Sequence, residues 1–194
     1  MGKVYSDDKK IRIYTWNVQR EDDSFLFFGF IQQIGKDRML IPLIQKNNTT
    51  TPSTHKELKL GEWYGALYYK IVACGSGKNK KYILLGWRQN DIFSNNLKLI
   101  DVLRFENNDI IFGDDIFIGL NKKTQFRVIF NYCPQVKMSL QYDSKKRRFV
   151  FDHLVTIGVK NGISCFGPDF SYDAYVKRGG KWYFKQDIDV RNEK

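Results

Sequence analysis

The sequence predicts an all-β fold, an antiparallel barrel or two-sheet sandwich of about ten strands with long hairpins. Apolar residues alternate with polar ones at a period of two in segment after segment, each closed by a cluster of Gly, Asn, Asp or Lys. Fifteen Phe, 11 Tyr and 4 Trp raise the aromatic content to 15%, and such side chains suit pleated surfaces and cross-strand pairs. No stretch holds a helical period beyond about two turns.

The most informative stretch is YGALYYKIVACGSGKNKKYILLGW, 64–87, where two apolar and aromatic runs flank the turn Gly75–Lys81 and predict a long hairpin at the centre of a sheet. Before it, IRIYTWNV at 11–18 alternates as a half-buried strand, and REDDS at 20–24 is a charged turn. SFLFFGFIQQI at 24–34 is a second strand, apolar almost without interruption, with Gly29 marking a bulge or a close approach. RMLIPLIQ at 38–45 is a third strand, confined to an edge or a bulge because Pro42 cannot donate to a ladder. The polar segment 46–61, rich in Asn, Thr and Ser, is an exposed loop.

After the central hairpin, 94–105 carries both a short-helix and a strand pattern, and a strand from Leu97 to Phe105 is the reading adopted. A turn at Glu106–Asp109 leads to 110–119, interrupted by Gly113, Asp114 and Asp115. TQFRVIFNY (124–132), KMSLQYD (137–143) and RRFVFDHLVTI (147–157) alternate as strands. Gly179-Gly180 centres a last hairpin within 171–190. Residues 1–10 read as a polar lead and 11–194 as a single β domain, a length at which about 70% of the unfolded surface can be buried.

Several chemistries lack their residues. Cys74, Cys133 and Cys165 have no CxxC spacing and only two histidines accompany them, so neither a metal site nor any cofactor is expected, and the cysteines read as small buried side chains. Gly77-Lys78 is followed by Asn79 and a strand, where a phosphate-binding loop needs Ser or Thr and a helix. Asp152 and His153, as neighbours in a strand, point to opposite faces and cannot pair with each other.

The acidic residues offer one candidate site. Asp114, Asp115, Asp169, Tyr172, Asp173 and Asp187 could gather on a rim as acid and base or around a hard cation; the competing reading is that the aspartates form turns and caps. The net charge of +11 offers another, since it favours anionic partners. Its lysines and arginines stand at hairpin tips, where charge also keeps sheet edges from aggregating, and no nucleic-acid motif accompanies them.

SDDKKIRIYTWN (6–17), WYGALYYKI (63–71), KYILLGW (81–87), MSLQYD (138–143), FDHL (151–154) and FGPDFSYDAYV through DVRN (166–192) together resemble a Bacteroidetes family of exported β-rich proteins without an assigned activity. The resemblance implies a domain that reaches the periplasm or cell surface when joined to upstream sequence, since the first residues here contain no signal peptide. The function expected is that of an extracytoplasmic interaction domain, binding a protein or a cell-surface glycan through exposed aromatics and loops, without catalysis. A hydrolase or cation-binding protein built on the Asp-rich rim is the alternative, and nonspecific nucleic-acid binding through basic hairpin tips a second. No apolar run approaches the length of a membrane-spanning helix.

Overall fold

A computed structural model describes residues 2–35, 39–46, 51–92, 94–106, 109–160 and 162–190. Among the described residues the chain is all-β, its strands pairing antiparallel except where Phe117–Ile118 pairs in parallel with Trp182–Tyr183, with two single 3-10 turns, at Leu60–Glu62 and Gly77–Asn79, as its helical elements. The architecture differs from the expected barrel or two-sheet sandwich: among the described residues sixteen strands form three sheets, and no barrel closes. The predicted strand count of about ten is therefore corrected upward, because breaks within predicted runs split them and two strands lie in polar sequence.

The first sheet is a meander of β1 (Gly2–Tyr5), β2 (Ile11–Gln19), β3 (Phe25–Gln33) and β4 (Leu40–Ile44), in that order. Thus part of the stretch read as a lead is a strand, and β4 with Pro42 is an edge, as its missing donor requires. Arg38 and the 47–50 part of the polar loop lie outside the described residues. Gly29 marks a close approach rather than a bulge: it stays in register opposite Thr15, and a Cβ there would collide with the Tyr14 carbonyl.

The second sheet contains β5 (Leu58–Lys59), β6 (Leu67–Cys74), β7 (Lys81–Gln89), β8 (Asn96–Glu106) and β9 (Asp109–Phe112), ordered β5-β9-β8-β7-β6. The hairpin 64–87 supplies β6 and β7, and its Gly-Lys-rich tip is a 3-10 turn, not a phosphate loop. The centre of the Glu106–Asp109 turn lies outside the described residues. The third sheet is built from β10 (Phe117–Ile118), β11 (Thr124–Gln125), β13 (Leu140–Asp143), β14 (Arg148–Lys160), β15 (Ile163–Arg178) and β16 (Lys181–Lys185), while β12 (Val128–Tyr132) pairs with β8.

The second sheet is the middle layer, and its alternation explains why. Tyr82 and Leu84 of β7, with Leu99 and Leu103 of β8, pack with Ile13, Phe27, Ile31 and Leu43 of the first sheet. Ile83, Leu85, Ile100 and Val102 point the other way, against Phe149, Phe151, Tyr175 and Trp182 of the third. Successive residues of a strand face opposite sides, so a strand apolar at every position must be covered twice. That demand turns YILL and the ambiguous 97–105 run into central strands.

Cys133 and Cys165 form a disulfide with Cα atoms 5.2 Å apart, which corrects their reading as separate buried thiols; Cys74 is free. The bond ties the end of β12 to the distal half of the β14–β15 hairpin, next to the Cys133 N–H donating to the Phe166 carbonyl at 2.9 Å.

Candidate functional site

The acidic rim gathers only in part. Asp173 is buried at the end of β16's pairing, and its carboxylate sits 2.7 Å from His153 Nδ1 and accepts the Asp187 N–H at 3.1 Å. Asp169 closes a local turn by accepting the Ser171 N–H and hydroxyl at 3.0 and 2.7 Å. That turn is where β15 loops outward from β14, with Phe170 at positive φ and almost wholly exposed. The hydrogen bond to Asp173 raises the His153 pKa; burial opposes it, and the charges of Asp173, Asp169 and Asp187 add to it. The structure therefore pairs His153 with a carboxylate twenty residues away, not with Asp152. Tyr172 packs on Val150, Ala174 and Ile188, a small cluster closed by the C-terminal segment.

Asp114 and Asp115 do not join this group. Asp114 is ion-paired with Lys81, and Asp115 is exposed beside the start of β10. No cluster of three or more His, Cys, Asp or Glu able to hold a metal occurs among the described residues. The arrangement around His153 fastens the C-terminal segment: beyond the Asp187 bond, the Ile188 N–H donates to the Tyr172 carbonyl at 2.8 Å.

A second polar group escaped sequence reasoning and lies inside the first core. Asp101, wholly buried in β8, accepts from Tyr64 Oη at 2.6 Å and Arg127 Nε at 3.2 Å. Arg127, equally buried, also donates to the carbonyls of Phe112 at 2.9 Å, Lys56 at 3.0 Å, and Ser53. Burial and the Asp101 charge push the Tyr64 phenol well above its ordinary pKa, so it remains a donor. Arg88, drawn down to about 10 by burial, donates to the Tyr64 carbonyl at 2.6 Å. With its carboxylate fully enclosed and its bonds running to backbone, this network holds the 53–56 loop and the strands together.

The surface that departs most from the norm is the outer face of the first sheet. Ile11, Ile13, Phe27, Ile31, Ile41 and Leu43 take the inner face, so alternation turns Arg12, Tyr14, Trp16, Val18, Leu26, Phe28, Phe30, Leu40, Pro42 and Ile44 outward. These outward residues adjoin across strands: Tyr14 faces Phe30, Trp16 faces Phe28, Val18 faces Leu26, Phe28 faces Ile44 and Phe30 faces Pro42. Val18, Leu40 and Ile44 are 50%, 63% and 48% exposed. A solvated outer face ordinarily carries polar residues, and a contiguous apolar one marks an interaction surface.

The face is ordered as well as apolar. Trp16 stacks on Phe28 with centroids 6.0 Å apart and planes 23° from parallel, and Phe30 lies 5.8 Å from Trp16 on a tilt. At the end nearer β1 the face turns cationic: the Arg12 guanidinium lies 4.6 Å from the centre of the Tyr5 ring and donates to Tyr14 Oη at 2.9 Å, while Lys3 Nζ lies 5.0 Å from the Tyr5 ring. A hydrogen bond from Lys3, with the nearby Arg12 charge, lowers the Tyr5 phenol's pKa. The outward positions of β1 to β4 hold no carboxylate. Sequence reasoning had the signal, since FLFFGFI is apolar at odd and even positions alike, yet read it only as a strand.

No protein-family model, curated protein or solved structure matches the chain.

Proposed function

We propose that this chain is a protein-interaction domain whose docking surface is the outer face of the first sheet, and that its partner offers an apolar patch bordered by acidic residues. The observation that carries this is the row of outward apolar side chains across β2, β3 and β4, joined to a cationic end whose outward strand positions carry no carboxylate. Protein interfaces place aromatics and Arg at their centre and exclude Asp and Glu, which is this composition. The net charge of +11 disfavours a second copy of the chain as the occupant and favours an acidic partner.

A cell-surface glycan fits less well. Sugar rings need aromatic faces open to solvent and many hydrogen-bonding groups, whereas Trp16 already lies against the rings of Phe28 and Phe30. Among the outward residues of β2 to β4, Gln32 is the one uncharged amide. Placement outside the cytoplasm, expected from sequence, suits the Cys133–Cys165 disulfide, because such bonds persist in oxidising compartments.

The test replaces Leu40 and Ile44, both exposed, with Ser. Such surface changes should alter stability by no more than about 0.5 kcal/mol, so loss of binding cannot be ascribed to unfolding. Chemical cross-linking in cells of origin should give one predominant acidic-protein adduct for the wild type and a severalfold weaker one for the double variant. Equal adducts would refute the assignment of the surface, and a self-adduct would replace the acidic partner by a second copy.

A further inference from the structure

We infer that a basic cleft at the cationic end of the docking face binds an extended acidic peptide segment, a deepening that rests on the protein-interaction reading above. The cleft has a volume of about 350 Å³ and lies where β2 begins and β3 ends, against the tip of the β6–β7 hairpin. Its floor is apolar, with Tyr82 and Phe105 meeting edge to face at 6.3 Å. Its rim is cationic, formed by Lys10, Lys78 and Lys80, with Gln33 between strands.

The three lysines are not equivalent. Lys80 is already neutralised by Asp8 at 2.7 Å and leans over the Tyr82 ring. Lys10 and Lys78 are exposed and make no ion pair among the described residues, so their charges are available to an incoming anion. A second hollow of about 210 Å³ shares Lys78 and Lys80 and continues past Lys81 and Arg104. Arg104 there is held by Glu57 and Glu106, and Lys81 by Asp114, so the unmatched charge is concentrated on the side facing the first sheet.

Continuity sets the occupant. Ile11 pairs with Gln33 at the cleft, and the next pair along the same strands is Arg12 with Gln32 on the edge of the docking face. Because Ile11 and Gln33 point to the opposite side of the sheet from Arg12 and Gln32, a chain leaving that face over Arg12 reaches the cleft by turning over the end of the sheet. A floor of aromatic rings beneath two ammonium groups that no described residue neutralises suits a strand whose successive side chains alternate apolar and acidic, pointing down and out in turn. A polyanionic sugar would use the ammonium groups but leave the aromatic floor without a partner and find little but Gln33 as a neutral polar contact.

The experiment titrates the full chain into a fluorescent hexapeptide of alternating Glu and Leu with blocked ends, read by anisotropy. Peptides of Gln-Leu and Lys-Leu and a sulfated hexasaccharide serve as comparisons. Binding of Glu-Leu at least tenfold tighter than Gln-Leu is expected, weakened at least tenfold by Lys10→Glu with Lys78→Glu and less by Lys10→Gln with Lys78→Gln. The Leu40→Ser, Ile44→Ser variant should keep hexapeptide affinity within twofold, which separates failure of the cleft from failure of the docking face. Equal affinity for Gln-Leu, or indifference to both lysine variants, overturns the inference. Tighter binding of the sulfated sugar overturns it in favour of an acidic glycan.

Discussion

Replacing Arg127 with Met should be the most damaging single change outside the apolar core. Asp101 is wholly enclosed, and Arg127 supplies its cationic partner while also satisfying carbonyls of Phe112, Lys56 and Ser53. Met matches much of the volume but leaves a buried carboxylate with only Tyr64 and the Val102 N–H as donors. Removing one partner of such a pair costs about 3–5 kcal/mol, because the remaining charge stays desolvated. That is a large part of the roughly 5–15 kcal/mol by which domains are stable. Urea denaturation followed by tryptophan fluorescence should show a midpoint lower by roughly 1–2 M, taking a slope of about 2–3 kcal/mol/M. The Asp101→Leu, Arg127→Met double variant should be the more stable of the two, since no uncompensated charge remains. A midpoint for Arg127→Met within roughly 0.3 M of wild type, or a double variant worse than the single, would refute the argument.

Three further outcomes follow from the geometry. Reducing the Cys133–Cys165 bond, which spans 32 residues, should cost about 3–4 kcal/mol by the loop-entropy relation, read as a drop in melting midpoint on adding reductant; no drop would show the bond idle. His153 is held more basic than usual by Asp173, so its contribution is present below about pH 6.5 and lost as pH rises through the raised folded value. The wild-type midpoint should therefore fall from about pH 6 to about pH 8, and His153→Gln should remove that fall; an identical slope would sink the pairing. Gly29→Ala should destabilise by at least about 1 kcal/mol, since its Cβ would strike the Tyr14 carbonyl, and an unchanged denaturation midpoint would contradict that close approach.

The sequence made the strands legible where local pattern and tertiary setting agree. The hairpin 64–87 announced itself through bulk and turn chemistry, and Pro42 limited β4 to an edge or a bulge, of which the structure shows the edge. What local pattern could not convey was partnership at long range. TQFRVIFNY reads as one strand, but it breaks at Phe126 and Arg127, where the Arg127 side chain turns inward to Asp101, 26 residues earlier. Pro168, Gly167 and the Asp169–Ser171 turn hid the first half of β15, whose pairing with β14 survives through register shifts. Likewise, nothing in the spacing distinguished Asp173, which meets His153, from Asp114, which meets Lys81. The third layer was missed because the two-sided burial of YILL was taken for bulk rather than for a demand to be covered on both faces.

The docking claim is tested most directly by placing a photoreactive benzoylphenylalanine at Phe30, on the outer face of the first sheet, and at Val159, exposed on the distal β14–β15 hairpin. Irradiation in cells of origin should give one acidic-protein adduct from position 30, greatly reduced by the Leu40→Ser, Ile44→Ser change, and none from position 159. Equal labelling from both positions, or no adduct from position 30, would contradict the assignment of that face as the place where a partner binds.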